Sequence, residues 1–153
     1  AAGDLSFLEG LSGLRSLDLA GDGNSIKPLD IATLAPLATL AGLERLWLTT
    51  VRVEEPSLAP LAGLRNLRHL RLANVFPMAE CARLAGLRPD LDFNLATPTG
   101  GATASLSCKR CRQRLLHMTT GKGKPWLCET CDAGRLAKHV AAFETLRAGA
   151  GSA

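Results

Sequence analysis

Leucine spacing is the feature of this chain that most constrains its fold. Leu occupies 23 of the first 95 positions, and the pattern L-x2-L-x2-L-x-L occurs three times. The three copies are Leu11, Leu14, Leu17 and Leu19; Leu40, Leu43, Leu46 and Leu48; and Leu64, Leu67, Leu70 and Leu72. An irregular fourth copy, with one extra residue near Pro89, is Leu84, Leu87, Leu91 and Phe93. Successive copies begin 29, 24 and 20 residues apart, which indicates an array of short repeats.

The spacing also predicts the structure of each copy. Two leucines separated by one residue project from the same side of a strand, and leucines at three-residue steps suit a helical or 3₁₀ turn behind it. One such unit cannot bury its own apolar side, whereas stacked units form a parallel sheet with a leucine ladder inside. A run of amphipathic helices is the alternative, and the prolines at positions 28, 36, 56, 60 and 77 oppose it. We therefore predict an α/β fold with a short solenoid of about four repeats.

Two stretches of the first part are nearly superimposable, LAPLATLAGLERLWL from position 34 and LAPLAGLRNLRHLRL from position 58. They resemble the short leucine-rich repeats of bacterial proteins, and the resemblance covers about residues 5–95. It predicts a leucine-rich repeat domain over residues 1–95. It also implies that a protein partner binds the concave face of the sheet.

Alternation within each strand predicts which side chains line that face. The first row is Ser16, Arg45, His69 and Asp90; the central row is Asp18, Trp47, Arg71 and Asp92; the last row is Ala20, Thr49, Ala73 and Asn94. The candidate partner-binding residues are Asp18, Arg45, Trp47, His69, Arg71 and Asp92. Trp and Arg dominate binding hot spots, so Trp47 and Arg71 are the principal candidates. The alternative is that a loop or the C-terminal part covers Trp47. Cys81, outside these rows, is expected to be a small buried hydrophobic residue.

The other four cysteines form two pairs near the C-terminus, with the spacing Cys108-x2-Cys111-x16-Cys128-x2-Cys131. This spacing is typical of a four-cysteine structural Zn²⁺ site, in which one ion takes all four thiolates and keeps no open position. Two disulfides, a redox Cys-x2-Cys and a rubredoxin-type iron site are the alternatives. The N-terminal residues lack the pattern of a signal peptide, which favours zinc over disulfides and predicts a cytoplasmic protein.

The residues around these cysteines predict a module over residues 108–149, joined to the repeats by a flexible linker over 96–107. The module would contain a hairpin with its turn in TTGKGKP, then a helix with Asp132 as N-cap and Gly149 at its end. This order resembles a treble-clef finger, and LCETCD is similar to the LCNAC junction of GATA-type fingers. Trp126 departs from the GATA pattern, so the resemblance implies only the four cysteine ligands.

Charge is concentrated in the same segment. Residues 1–104 hold nine basic and eleven acidic residues, whereas residues 105–153 hold nine and three, a balance of +6. Six cations around the first cysteine pair and the hairpin turn are expected to form a patch that contacts nucleic acid or an acidic partner: Lys109, Arg110, Arg112, Arg114, Lys122 and Lys124. The glycine-containing turn would add backbone N–H groups beside two of these lysines. The acidic repeat part is a third possible partner for this charge.

These observations favour a non-enzymatic adaptor in which the repeats bind a protein and the zinc finger is a cap or a second contact. A nucleic-acid-binding protein that reads through its basic finger is the alternative. Enzyme chemistry is not expected, because no catalytic triad, phosphate loop or open metal site is visible and only Cys81 is spare as a nucleophile. No apolar run approaches the roughly 20 residues of a membrane-spanning helix, and no small-molecule substrate is evident.

Overall fold

The computed structural model describes residues 3–24 and 27–152. Its first part contains six strands and two α-helices: β1 (Ser16–Ala20), β2 (Leu29–Thr33), β3 (Arg45–Thr49), β4 (Val51–Glu55), α1 (Ala59–Ala62), β5 (His69–Leu72), α2 (Met78–Leu87) and β6 (Asp92–Phe93). The second part contains β7 (Thr99–Thr103), β8 (Leu116–Thr119), β9 (Trp126–Cys128) and α3 (Ala133–Gly151). Short 3₁₀ turns at Ser6–Leu8 and Ala35–Thr39 complete the regular structure.

The main sheet joins one strand from each leucine copy. Its order is β1-β3-β5-β6, and all of its strands are parallel. The register places the first leucines of the L-x-L pairs side by side, from Leu17 to Leu46 to Leu70. The leucines of β3 and β5 are fully buried, whereas Leu17 at the edge is half-buried. The predicted parallel sheet of an α/β fold is confirmed.

The register of β6 differs from the sequence prediction. Asp92 lies beside His69, and Phe93 lies beside Leu70. The regular leucine spacing predicts that Asp90 lies beside His69 and Asp92 beside Arg71, and both predictions are wrong by two residues. After α2 the chain makes a turn, with Leu91 N–H bonded to the Arg88 carbonyl at 3.1 Å, before it enters the strand. The residues that the regular spacing assigned to the start of β6 lie in this turn instead.

Asp90 lies in that turn instead of the sheet. Its carboxylate pairs with Arg88 at 2.8 Å, and Arg88 also donates to the carbonyls of Leu64 and Leu67. These hydrogen bonds hold the turn against the segment that contains Leu64 and Leu67, and the bond from Arg88 lowers the pKa of Asp90 to about 2.

A second parallel sheet, β2–β4, was not predicted. It pairs Leu29 with Val51 and Ile31 with Val53. Ile31 is fully buried, and both valines are buried too. Alternating apolar residues in LDIAT and VRVEE are the signal for these strands, and they lie outside the L-x2-L-x2-L-x-L pattern.

The turns and helices behind the main sheet complete the core. Phe76, Cys81 and Leu84 are buried there among the repeat leucines. Cys81 has no solvent-exposed surface, as predicted, and its burial raises the pKa of its thiol to about 12, with a smaller contribution from Glu80. An inaccessible thiol with so high a pKa is unsuited to nucleophilic chemistry.

The C-terminal part is an antiparallel sheet, β7-β8-β9, followed by α3. The predicted hairpin is present as β8 and β9. The prediction of a flexible linker over residues 96–107 is corrected for Thr99–Thr103, because this segment forms β7 and pairs with β8. The predicted helix begins at Ala133 and continues to Gly151, two residues beyond Gly149.

The two parts of the molecule share one core. Phe143 of α3 is fully buried in the same cluster as Leu91, Phe93 and the repeat leucines, and Leu146 packs against it. Polar contacts join the parts as well. Asn74 donates to the Thr119 carbonyl at 3.0 Å and accepts the Gly121 N–H at 2.7 Å. Within residues 3–24 and 27–152, no helix is both long and apolar enough to cross a lipid bilayer.

Candidate metal centre and exposed surfaces

The first cysteine pair is held by a tight backbone turn. Arg112 N–H donates to the Cys108 carbonyl at 2.8 Å, and Cys108 N–H donates to the Gln113 carbonyl at 2.9 Å. Arg112 adopts a left-handed conformation with φ of 63°, which reverses the chain directly after Cys111. The turn therefore directs both thiols to one side.

The second pair has the same backbone closure, because Asp132 N–H donates to the Cys128 carbonyl at 2.9 Å. Asp132 precedes α3 as predicted, but its side chain makes no capping bond to the helix. Its carboxylate instead accepts the Cys128 N–H at 3.0 Å and pairs with Arg110. These two contacts, the backbone bond first, lower the pKa of Asp132. Asp132 therefore links the two cysteine turns.

The four paired cysteines converge on one point. Their sulfur atoms all lie within 4.8 Å of one another, and Cys111 Sγ is 3.6 Å from Cys128 Sγ. A tetrahedral ion with Zn–S bonds of about 2.3 Å requires sulfur atoms about 3.8 Å apart. All five cysteines are free thiols, so the paired sulfurs are available as ligands. The arrangement fits one metal ion bound by Cys108, Cys111, Cys128 and Cys131.

The protonation of these thiols is coupled to their neighbours. Hydrogen bonds from the backbone N–H groups of Cys111 and Arg110 lower the pKa of Cys108 to about 6. The pKa of Cys131 is raised to about 12, first by its hydrogen bond with the Cys111 thiol. A first thiolate is thus favoured, while further negative charge in the cluster is opposed until a cation neutralises it. Metal binding is expected to release protons from the remaining thiols.

His117 lies outside this cluster. Its imidazole contacts Thr99 Oγ1 at 3.4 Å and Glu129 Oε2 at 3.2 Å. Among the described residues, the group that could hold a metal ion consists of the four cysteines alone.

Trp47 is open to solvent on the outer side of the main sheet, with 43% of its side chain exposed. At this exposure the indole is not enclosed by a loop or by the C-terminal part. Its neighbours across the sheet are Asp18 on β1 and Arg71 on β5, as predicted. The side chains of Asp18 and Arg45 make no hydrogen bond or ion pair to another described residue, so both charges are available to a ligand.

Arg71 and His69 are tied to Asp92. The Arg71 guanidinium donates to the Asp92 carboxylate at 2.7 Å and to the carbonyls of Leu70 and Asp92. His69 Nδ1 lies 3.0 Å from the same carboxylate. The bonds from Arg71 and then His69 lower the pKa of Asp92 to about 2. This network fixes one border of the surface around Trp47.

The six predicted cations of the finger are all exposed, but they do not form one patch. Four of them flank the first cysteine pair, next to the end of the hairpin where Leu116 pairs with Cys128. Lys122 and Lys124 lie in the turn at the opposite end, about 10 Å away along strands that rise about 3.4 Å per residue. Arg110 is paired with Asp132, which leaves it less available than the others.

The turn itself offers fewer free N–H groups than predicted. The amides of Thr120, Gly121, Lys122 and Lys124 donate, respectively, to Pro98 O, Asn74 Oδ1, Phe76 O and Gly121 O. Three of these bonds dock the turn on the rest of the molecule. The predicted phosphate contact through the turn backbone is therefore wrong for these four amides.

Three residues of α3 that sequence reasoning did not select line a cavity beside the hairpin: Arg135, Lys138 and His139. Their spacing on one side of the helix was visible in the sequence, but the other residues that line the cavity come from distant parts of the chain.

No protein-family model matches the chain, and no curated protein is significantly similar to it.

Proposed function

We propose that this chain is a non-enzymatic protein-interaction module, in which a short leucine-rich repeat solenoid binds a protein partner. The exposed Trp47, between Asp18 and Arg71 on the outer side of the parallel sheet, is the observation that carries the proposal. A large aromatic side chain has a high tendency to bury itself in a partner's pocket. The charges of Asp18 and Arg45 would then determine the orientation in which the partner binds.

The repeat interpretation is supported by the leucine spacing and by the parallel register of β1, β3 and β5. Both follow from stacking of similar units. A sheet built this way displays rows of side chains from successive repeats on one surface. Such a surface suits recognition of an extended segment or a strand-rich face of another protein.

We further propose that the four-cysteine cluster holds one structural Zn²⁺ and that the finger stabilises the end of the repeats. Four thiolates complete the tetrahedral shell of zinc, so no position stays open for a substrate. Free thiols suit a reducing compartment such as the cytoplasm. The packing of Phe143 in the repeat core supports a capping role for α3.

The test of partner binding is affinity capture from a native lysate, with zinc-loaded protein immobilised and Trp47→Ala as the first variant. Trp126→Ala is the matched control, because Trp126 is 45% exposed on the hairpin and carries the same apolar surface. We expect a partner that the wild type and Trp126→Ala retain and that Trp47→Ala loses. Equal retention of the partner by both variants would show that the surface around Trp47 does not bind it.

Nucleic-acid binding by the finger is the second candidate. The exposed Lys109, Arg112 and Arg114 beside the first cysteine pair favour it. The hydrogen bonds that the turn amides already make weaken the case for nucleic-acid binding, because side chains are then the main groups left to contact phosphate. Anisotropy with mixed DNA and RNA tests it: binding should fall steeply between about 50 and 200 mM salt and disappear when these three residues become Glu. Absence of binding at low salt would leave protein recognition as the role of the charge.

A further inference from the structure

A cavity of about 340 Å³ lies where the start of α2, the β8–β9 hairpin and α3 meet. Its apolar lining comes from three separate segments: Met78 of α2, Pro125 and Leu127 of the hairpin, and Ala142 of α3. Leu127 is buried and forms part of a fixed floor. The volume is at the small end of known ligand pockets, which span about 300 to 1,000 Å³. It suits one large apolar side chain better than a whole cofactor.

The rim of this α3 cavity is cationic. Lys124, Arg135 and Lys138 line it, and no acidic residue does. Arg135 lies 3.5 Å from Asp132, whereas the side-chain ammonium groups of Lys124 and Lys138 make no hydrogen bond or ion pair to another described residue. Two unpaired ammonium groups and a guanidinium around an apolar floor are complementary to a ligand that is apolar in its middle and acidic on both sides.

His139 provides an independent sign of a ligand site. It lines the cavity, and only 8% of it is exposed. Its Nε2 donates to the Pro98 carbonyl at 2.9 Å, and Pro98 is not part of the cavity lining. The other ring nitrogen, Nδ1, makes no hydrogen bond to a described residue. A nearly buried polar group with one unused nitrogen at the wall of a cavity is ready to bond a ligand.

We propose that the α3 cavity binds an acidic peptide segment of a partner protein, with one apolar side chain on the Met78–Leu127 floor and flanking carboxylates on the lysine and arginine rim. The proposal rests on the proposed function only in assuming that the partner is a protein. The site does not include Trp47, so the two can fail separately. Nucleic acid fits less well, because a phosphate chain has no apolar side chain for the floor.

The probe is a synthetic peptide, Glu-Asp-Glu-Leu-Phe-Glu-Asp-Glu, titrated into the zinc-loaded full chain while the Met78 methyl resonance is followed by NMR. Comparison ligands are the same peptide with Ala-Ala in place of Leu-Phe, and a single-stranded oligonucleotide of similar charge. We expect a saturable shift with the Leu-Phe peptide and at least tenfold weaker binding of the Ala-Ala peptide. No shift up to about 1 mM peptide, or tighter binding of the oligonucleotide, overturns the proposal.

Two matched pairs of variants localise the binding. Ala142→Trp places a large side chain in the cavity and should weaken binding of the Leu-Phe peptide at least tenfold, whereas Ala141→Trp, at an exposed position that does not line the cavity, should not. Lys138→Glu should weaken binding, whereas Lys27→Glu applies the same charge change at an exposed position outside the cavity lining and should change the affinity less than twofold. Circular dichroism and zinc content confirm folding of each variant. Equal effects within either pair contradict binding in the cavity. Trp47→Ala should bind the peptide normally, whatever becomes of the lysate partner.

Discussion

Gly86 of α2 lies directly against the backbone carbonyl of Arg147 in α3. A Cβ at position 86 would overlap that oxygen and would lie 3.1 Å from the Cβ of Ala150. The two helices can approach this closely only because position 86 has no side chain. The contact lies at the junction between α2 of the first part and α3 of the second.

We therefore expect Gly86→Ala to destabilise the protein by about 1–3 kcal/mol, because the helices must separate to admit a methyl group. This reverses the usual helix preference, in which Ala is better than Gly by about 1 kcal/mol. Urea unfolding at neutral pH measures the change. The matched control is Gly149→Ala, since a Cβ there meets nothing within 4 Å. The control should keep or raise stability, and a stabilising Gly86→Ala would show that the helices are not closely packed in solution.

Much of the fold follows from local sequence physics, and the exceptions have identifiable causes. The ladder from Leu17 to Leu46 to Leu70 was predictable, because alternation and repeat length act within a few residues. The register of β6 was not, because it depends on how Arg88 and Asp90 close a turn. Strand β7 was missed because TPTGGAT has the composition of a linker. It becomes a strand by pairing with β8, which is a tertiary effect.

The candidate sites divide in the same way. Cysteine spacing alone identified the four residues that converge, because two short turns and one hairpin determine their geometry. The α3 cavity was not predictable, since Met78 is brought to Lys138 only by the packing of α2 against the finger. The engaged amides of the hairpin turn likewise depend on Asn74, a residue far away in the sequence.

Metal content is the next prediction. Protein purified under reducing conditions should contain about one zinc per chain, and Cys128→Ser should lose most of it, because three thiolates no longer complete the shell. Elemental analysis of the dialysed protein measures both values. Cys81→Ala is the control, because this buried thiol lies outside the cluster and its loss should change stability without changing zinc content. Full zinc content in Cys128→Ser would disprove the ligand assignment.

Substitutions of Arg112, the left-handed residue beside the cysteine cluster, can separate the effect of its charge on stability from the effect of its backbone conformation. Arg112 has a φ of 63°, a region that costs an ordinary residue about 1 kcal/mol and glycine almost nothing. Arg112→Gly should therefore leave zinc content intact and change the free energy of unfolding by less than about 1 kcal/mol. Arg112→Val should destabilise the cysteine turn, because a β-branched residue tolerates this conformation poorly. Both variants remove one charge, so loss of stability or zinc in both would mean that the guanidinium itself is structural.

The acid dependence of stability should report the network around Asp92. Its pKa is about 2 in the folded protein, below the value of about 3.9 for an unperturbed Asp. The stabilisation from this carboxylate is therefore complete above about pH 5 and is lost progressively as the pH falls through the folded pKa of about 2. Asp92→Asn should be less stable than wild type at pH 6, and the difference should shrink in acid. Acid releases zinc from wild type and from Asp92→Asn alike, so the difference between their free energies of unfolding reports the effect of Asp92 alone. A difference that is the same at pH 6 and pH 2.5 would contradict the ion pair with Arg71.

The last prediction concerns what the metal holds in place. The cysteine cluster lies at the end of the hairpin and before the first turn of α3, whereas the helix contacts the repeat core through Phe143 and Arg147, far along its length. Zinc removal should therefore release the hairpin first. The C-terminal half of α3 should stay docked, because burial of Phe143 and the contact with Gly86 do not involve the metal. Hydrogen exchange after chelation should accelerate strongly at residues 116–128, while residues 78–87 and 140–148 stay slow and strand β3 serves as the unaffected reference. Fast exchange across residues 78–95 would show instead that the metal also stabilises the packing of α2 and β6.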